Sequence, residues 1–180
     1  MLRVISGKHK GLRLNAPEGE DTRPSKDALK EALFSSLGNI SDLSFLDLFA
    51  GSGAVGIEAL SRGASPVVFN DHSPKAVKVI KENLLKAKEE AEVANLSAEA
   101  FLAKTEASFD LIFLDPPYAY IHKQKLLELI HKKGILKAEG ILIYEESSAS
   151  PVEETVGPFV LVKQKKYGVS RLCYYKENRS

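Results

Sequence analysis

Phe45-Leu46-Asp47-Leu48-Phe49-Ala50-Gly51-Ser52-Gly53-Ala54-Val55-Gly56-Ile57-Glu58-Ala59 reads as a strand, a glycine-rich turn and a helix. The Gly51-x-Gly53-x-x-Gly56 spacing meets the dinucleotide fingerprint, whose small residues let backbone approach a ligand and let the helix pack on the sheet. A tight strand-to-helix turn alone explains the same pattern, so the next strand decides. Pro66-Val67-Val68-Phe69-Asn70 is that strand, and Asp71 ends it. A carboxylate about 20 residues beyond the glycines can accept both hydroxyls of a ribose.

A third strand end adds chemistry. Phe109-Asp110-Leu111-Ile112-Phe113-Leu114 is a short apolar run of the kind buried in parallel sheets, followed at once by Asp115-Pro116-Pro117-Tyr118. Neither proline can donate a ladder hydrogen bond, so the strand stops and Asp115 lies at its carboxyl end, where open α/β sheets bind ligands. The turn offers acceptors, the Asp115 carboxylate and main-chain oxygens, beside the aromatic face of Tyr118. A nicotinamide enzyme would share the glycine loop and the ribose acid but has no need of this turn.

The remaining elements follow from periodicity. Arg3–Ser6 and Leu12–Leu14 flank Gly7-Lys8-His9-Lys10-Gly11 as a β-hairpin with a basic tip. Residues 1–16 are thus expected to form an extension in front of a single catalytic domain, residues 17–180. Ser25 is expected to cap a helix whose apolar face is Leu29, Ala32, Leu33, Ser36 and Leu37, stopped by Gly38. Helices are also expected to Arg62, over Ser73–Lys88, from Ser97, and over Lys125–Lys133. Glu92–Leu96 and Gly140–Glu145 read as strands. Phe159–Lys165 and Ser170–Lys176 form an antiparallel pair around Tyr167-Gly168. The pattern is α/β, a doubly wound Rossmann-like sheet, mostly parallel, with an antiparallel C-terminal edge hairpin.

Composition sets the bounds. The chain has 180 residues, 44% hydrophobic and 27% charged, as in an ordinary soluble domain. No segment approaches the ~20 apolar residues of a membrane span, and no signal peptide is expected at the start. The single cysteine, Cys173, is expected in the core and suits a reducing cytoplasm. His9, His72, His122 and His131 form no metal-spaced cluster, so no metal is expected. The net charge is only +1, but residues 1–14 carry Arg3, Lys8, Lys10 and Arg13 with no acid, and Lys163, Lys165, Lys166 and Arg171 repeat the bias. Such ends can lie on a phosphate backbone.

Taken together, Thr22-Arg23-Pro24-Ser25 with Glu31-Ala32-Leu33-Phe34, Asp47–Ala59 and Asp115–Tyr118 make the whole chain resemble the bacterial 16S ribosomal RNA guanine-N2 methyltransferases. The resemblance implies the methyltransferase fold, S-adenosylmethionine as donor with S-adenosylhomocysteine as product, and 16S ribosomal RNA or the small subunit as partner. It implies that Asp47, Ala50, Gly51, Ser52 and Gly53 hold the methionine part of the donor, Asp71 its ribose, and Ser97 with Ala98 the adenine. Family members carry Asp or Asn at the Ser97 position. Asp115, Pro116, Pro117 and Tyr118 would form the catalytic turn. The Asp115 carboxylate and the Pro116 carbonyl would bind the two amine hydrogens, and Tyr118 would stack on a base turned out of its helix. Arg3, Lys8, Lys10, Arg13, Arg23 and Lys30 are the expected RNA contacts, with Ala28 and Lys30 where the family tends to carry Arg. Two other readings share these residues: a DNA adenine-N6 or cytosine-N4 methyltransferase, and a non-catalytic RNA- or nucleotide-binding module. A monomeric, cytoplasmic enzyme is expected.

Overall fold

Alternation within each strand divides the chain's apolar residues between two faces of one sheet. The structure, a computed structural model, describes residues 2–19, 24–117 and 119–179, with only the backbone described at Pro24 and Ser25. Its first elements are β1 (Leu2–Arg3), β2 (Arg13–Leu14), α1 (Pro24–Leu37), β3 (Phe45–Asp47), α2 (Ala54–Ser61), β4 (Val67–Asn70), α3 (Pro74–Ala87) and β5 (Glu92–Ala94). They are followed by α4 (Ala98–Lys104), β6 (Phe109–Leu114), α5 (Lys123–Lys132), β7 (Leu136–Ser147), β8 (Thr155–Val156), β9 (Phe159–Tyr167) and β10 (Ser170–Glu177).

The large sheet has the order β5-β4-β3-β6-β7-β10-β9-β8. β3 to β7 run parallel, and β10, β9 and β8 continue the sheet antiparallel, as expected for the C-terminal hairpin. Phe45, Phe69, Leu111, Phe113 and Ile143 face a cluster with α1, α2 and α3, into which Leu33, Ile57 and Ile80 pack. Leu46, Val68, Ile112, Leu114 and Leu142 face the opposite cluster with α4 and α5, filled by Phe101, Leu126 and Ile130. Both faces are covered, which is why the central strands lack a polar face. Cys173 is buried in the second cluster as a packing residue.

Several boundaries differ from the sequence reading, each for a physical reason. α1 starts at Pro24, so Ser25 lies inside its first turn rather than capping it; proline is well suited to that first position. β7 starts at Leu136, four residues early, because Leu136 already pairs with Phe109 of β6; a register shift carries the polar Lys137–Glu139 before the pairing resumes at Ile141. β8 was not anticipated and extends the sheet by pairing Thr155 and Val156 with β9.

The N-terminal hairpin contributes Leu2, Val4 and Leu14 to the first core cluster. It is fastened by Glu58 of α2, a fully buried carboxylate accepting from the amides of Ile5 (2.9 Å) and Ser6 (3.1 Å). Glu58 also accepts from Arg62 at 2.9 Å and lies 3.3 Å from Lys30 Nζ. Lys30, only 4% exposed, donates to the Arg3 carbonyl at 2.6 Å. Burial draws its ammonium below the usual lysine range while Glu58 opposes the shift. Lys30 is therefore a strut between α1, α2 and the hairpin, not the RNA contact expected of it. Arg171 is likewise buried, against Glu146, and does not belong to a basic surface.

Gly56 shows why the third glycine of the fingerprint matters. A Cβ there would sit 2.3 Å from Phe69 Cε2, inside the packed face of β4. Gly56→Ala should cost about 1–3 kcal/mol through overpacking, read as a lower urea midpoint. An unchanged midpoint would contradict this account of α2 against β4.

Candidate active site

The order β4-β3-β6-β7 places β3 and β6 side by side with their flanking crossovers diverging, and the carboxyl ends of all four strands open into one cleft. A cavity of about 660 Å³ lies there, roofed by Lys26, Leu29 and Leu33 of α1. Asp47, Ala50, Gly51, Ser52, Asp71, Asp115, Pro116 and Pro117 all line it. The residues singled out at three separate strand ends thus meet in one site.

The glycine loop is held by side chains rather than by its own ladder. Asp71 accepts from the Gly51 amide at 2.8 Å with one oxygen and from the Ser73 amide at 2.9 Å with the other. Asp47 accepts from the Gly56 amide at 3.0 Å, and Gly53, at φ 82°, donates back to the Ala50 carbonyl at 2.8 Å. Two buried amides that sequence reasoning missed complete the frame. Asn70 donates to the Leu48 and Leu96 carbonyls, and Asn83 to the Ser52 carbonyl at 2.9 Å. Isolated asparagines carry no local pattern, so only the tertiary pairing exposes their role. Gly53 itself lies behind the loop, toward Ile80 and Phe69, and is not part of the cavity wall.

Electrostatics sets this cleft apart from the rest of the surface. Asp47 is 1% exposed, and burial pushes its carboxyl up to about 7, against a lowering hydrogen bond from Gly56 and with a further push from Asp71. Asp115 is open to the cavity on one side but enclosed by strand ends on the others. That desolvation, then the neighbouring Glu145 carboxyl and then Asp47, hold it well above the usual carboxylate range. Glu145 was missed in the sequence. It is 8% exposed at the end of β7 and lines the same cavity. The tip of the β9–β10 turn, Tyr167–Ser170, closes that end.

Other expected site residues lie elsewhere. Ser97 caps α4, its hydroxyl accepting from the Ala100 amide at 3.1 Å, and neither it nor the buried Ala98 lines the cavity. Arg23 and Tyr118 lie outside the described residues. Just past that point, the Pro117 carbonyl is taken by the Tyr120 amide at 2.9 Å, and the Tyr120 ring packs edge-on against Phe49. Arg3, Lys8, Lys10 and Arg13 are exposed on the hairpin. Arg3 lies 3.7 Å from Asp27, and Lys8 pairs with Glu89 at 2.9 Å. Lys8 and Lys10 flank a second hollow of about 450 Å³ with Lys86 and Lys88. It contains none of the strand-end carboxyls, so the chemistry belongs to the larger cleft. Among the described residues no group of three or more metal-binding side chains converges.

The chain matches the family described as Conserved hypothetical protein 95 over residues 2–176. It is 41% identical to YlbH of Bacillus subtilis, over 98% of this chain and 99% of the relative. It is 34% identical to the Ribosomal RNA small subunit methyltransferase D of Haemophilus influenzae, over 97% and 93%. The solved structure of yhhF from Escherichia coli superimposes with a TM-score of 0.86 at 30% identity, covering 99% of this chain and 98% of that one.

Asp47 makes a pH-dependent contribution whose sign can be checked. A folded pKa raised above the unfolded value gives stability that is complete below the unfolded value and lost as pH rises through the folded one. Asp47→Asn escapes that loss. Its stability relative to wild type should therefore rise between pH 3.8 and about 7, by roughly 4 kcal/mol at most. Urea melts across that window check it; a difference that stays flat contradicts the buried, proton-holding Asp47.

Proposed function

We propose, from the premise that this chain belongs to the Conserved hypothetical protein 95 family together with the Ribosomal RNA small subunit methyltransferase D proteins, that it methylates the exocyclic amine of a guanine in 16S ribosomal RNA. The donor in this reading is S-adenosylmethionine. One observation carries it: Asp47, Asp71, Asp115 and Glu145 converge in one cavity, a set of acceptors matched to a cationic donor and an amine.

The residues present fit that donor. The Gly51 and Ser52 backbone lets a ligand approach, and Asp47 presents a buried carboxyl to an ammonium group. Asp71 uses one lone pair of each oxygen on backbone amides and retains acceptor capacity for ribose hydroxyls. When bound, S-adenosylmethionine supplies an electrophilic methyl group on a positively charged sulfur. The protein's part is to orient the amine. The exocyclic nitrogen of guanine is a weak nucleophile because its lone pair is delocalised into the ring. Asp115 and the Pro116 carbonyl accept its two hydrogens and favour a pyramidal nitrogen whose lone pair faces the methyl. On transfer of the methyl group from sulfur, nitrogen would give up one proton, and the ionised Asp115 carboxylate would receive it. Its raised pKa makes it a better base than an ordinary aspartate. Positioning of this kind can lower the barrier by ~7–11 kcal/mol. The exposure of Arg3, Lys8, Lys10 and Arg13 on the hairpin supports the same reading, since such cations can meet phosphates.

Small subunits from cells lacking this gene, incubated with the protein and labelled S-adenosylmethionine, should yield label as N2-methylguanosine. Label on DNA bases alone, or none on ribosomal RNA, would overturn the reading. Asp115→Ala should reduce turnover at least ~100-fold while donor affinity, by calorimetry, stays within a few-fold. In the wild type, turnover should fall as pH drops through the raised pKa of Asp115, because only the ionised carboxylate accepts the proton.

A further inference from the structure

Glu145 is a buried acid of the cleft to which the reaction just described assigns no contact of its own. Register places it beside Asp115: Leu114 pairs with Tyr144 across β6 and β7, so the next residues, Asp115 and Glu145, are neighbours on one face. Across the other edge Glu145 stands opposite Leu172 of β10, an apolar wall that offers it no donor. Among the described residues its buried Oε1 has no hydrogen-bond partner. An orphaned charged acceptor costs several kcal/mol in a folded chain and is retained where a ligand supplies the missing donor.

The donor that fits is defined by its neighbour. If Asp115 holds an exocyclic amine, the acceptor next to it faces the adjoining ring position. Guanine presents N1–H there, whereas adenine and cytosine present a ring nitrogen acceptor, which a carboxylate repels. We infer that Glu145 accepts the N1–H of the target guanine and so selects guanine over the other amino bases. This rests on the guanine reading above. Sites built to hydrogen-bond one substrate group reject analogues lacking it far more strongly than apolar pockets reject a missing methylene.

The test uses small subunits carrying either guanine or 2-aminopurine at the methylated position; 2-aminopurine keeps the amine but has an acceptor at N1. Wild type should prefer guanine by at least ~100-fold. Glu145→Gln can turn its amide NH2 toward N1 of 2-aminopurine, so it should narrow that preference at least ~10-fold while S-adenosylmethionine still binds, with an affinity within about tenfold of wild type. A wild type that accepts both bases equally would overturn the inference without any variant. So would an E145Q enzyme that slows on both substrates alike, or one that has lost donor binding. Failure of wild type to methylate guanine at all would instead overturn the proposed function.

Discussion

Crowding of carboxyl groups at the carboxyl edge of the parallel sheet is the constraint on which the site depends. Asp47, Asp71, Asp115 and Glu145 end or follow four adjacent strands and line one cavity. Without a ligand this arrangement is electrostatically unfavourable. Asp47 is pushed up by burial and by Asp71, and Asp115 by burial, Glu145 and Asp47. In the proposed reaction a sulfonium, an ammonium and an aromatic amine would each relieve part of that repulsion. The electrostatic cost in the empty protein therefore becomes affinity and orientation in the loaded one.

Two buried clamps keep the acids from moving apart. Asp71 ties the glycine loop to the end of β4 through Gly51, so this acid and the loop stay together. Glu58 ties the hairpin to α2, and Lys30 bridges Glu58 to the Arg3 carbonyl. Because Leu29, Lys26 and Leu33 of α1 roof the cavity, the Lys30–Glu58 pair also fixes the roof over the acids. The N-terminal hairpin, with its exposed cations, is thus joined to the helix that roofs the cleft through one buried ion pair.

The sequence was most readable where chemistry and backbone pattern coincide. Asp47 and Asp71 are marked by the glycine spacing, and Asp115 by the prolines that stop its strand; all three line the cavity. Glu145 was not readable. It sits in a glutamate pair whose second member, Glu146, binds Lys123 and Arg171, and only the register of β7 against β6 and β10 tells the two apart. Lys30 was expected to meet RNA because it stands where the resembled family tends to carry Arg, but its partner Glu58 is 28 residues away on another helix. Ser97 follows the third strand as an adenine contact would, yet its hydroxyl is taken up capping α4. Alternation told strands from helices, but long-range pairing decided which polar residues are interior.

The most direct test of the account is a crystal structure of the chain with S-adenosylhomocysteine. The account predicts the amino-acid end against Asp47 and the Ala50–Ser52 backbone, the ribose on Asp71, and the sulfur turned toward the space between Asp115 and Glu145. A product lying in the hollow beside Lys8 and Lys86, or in the cleft with its sulfur turned away from Asp115, would contradict it.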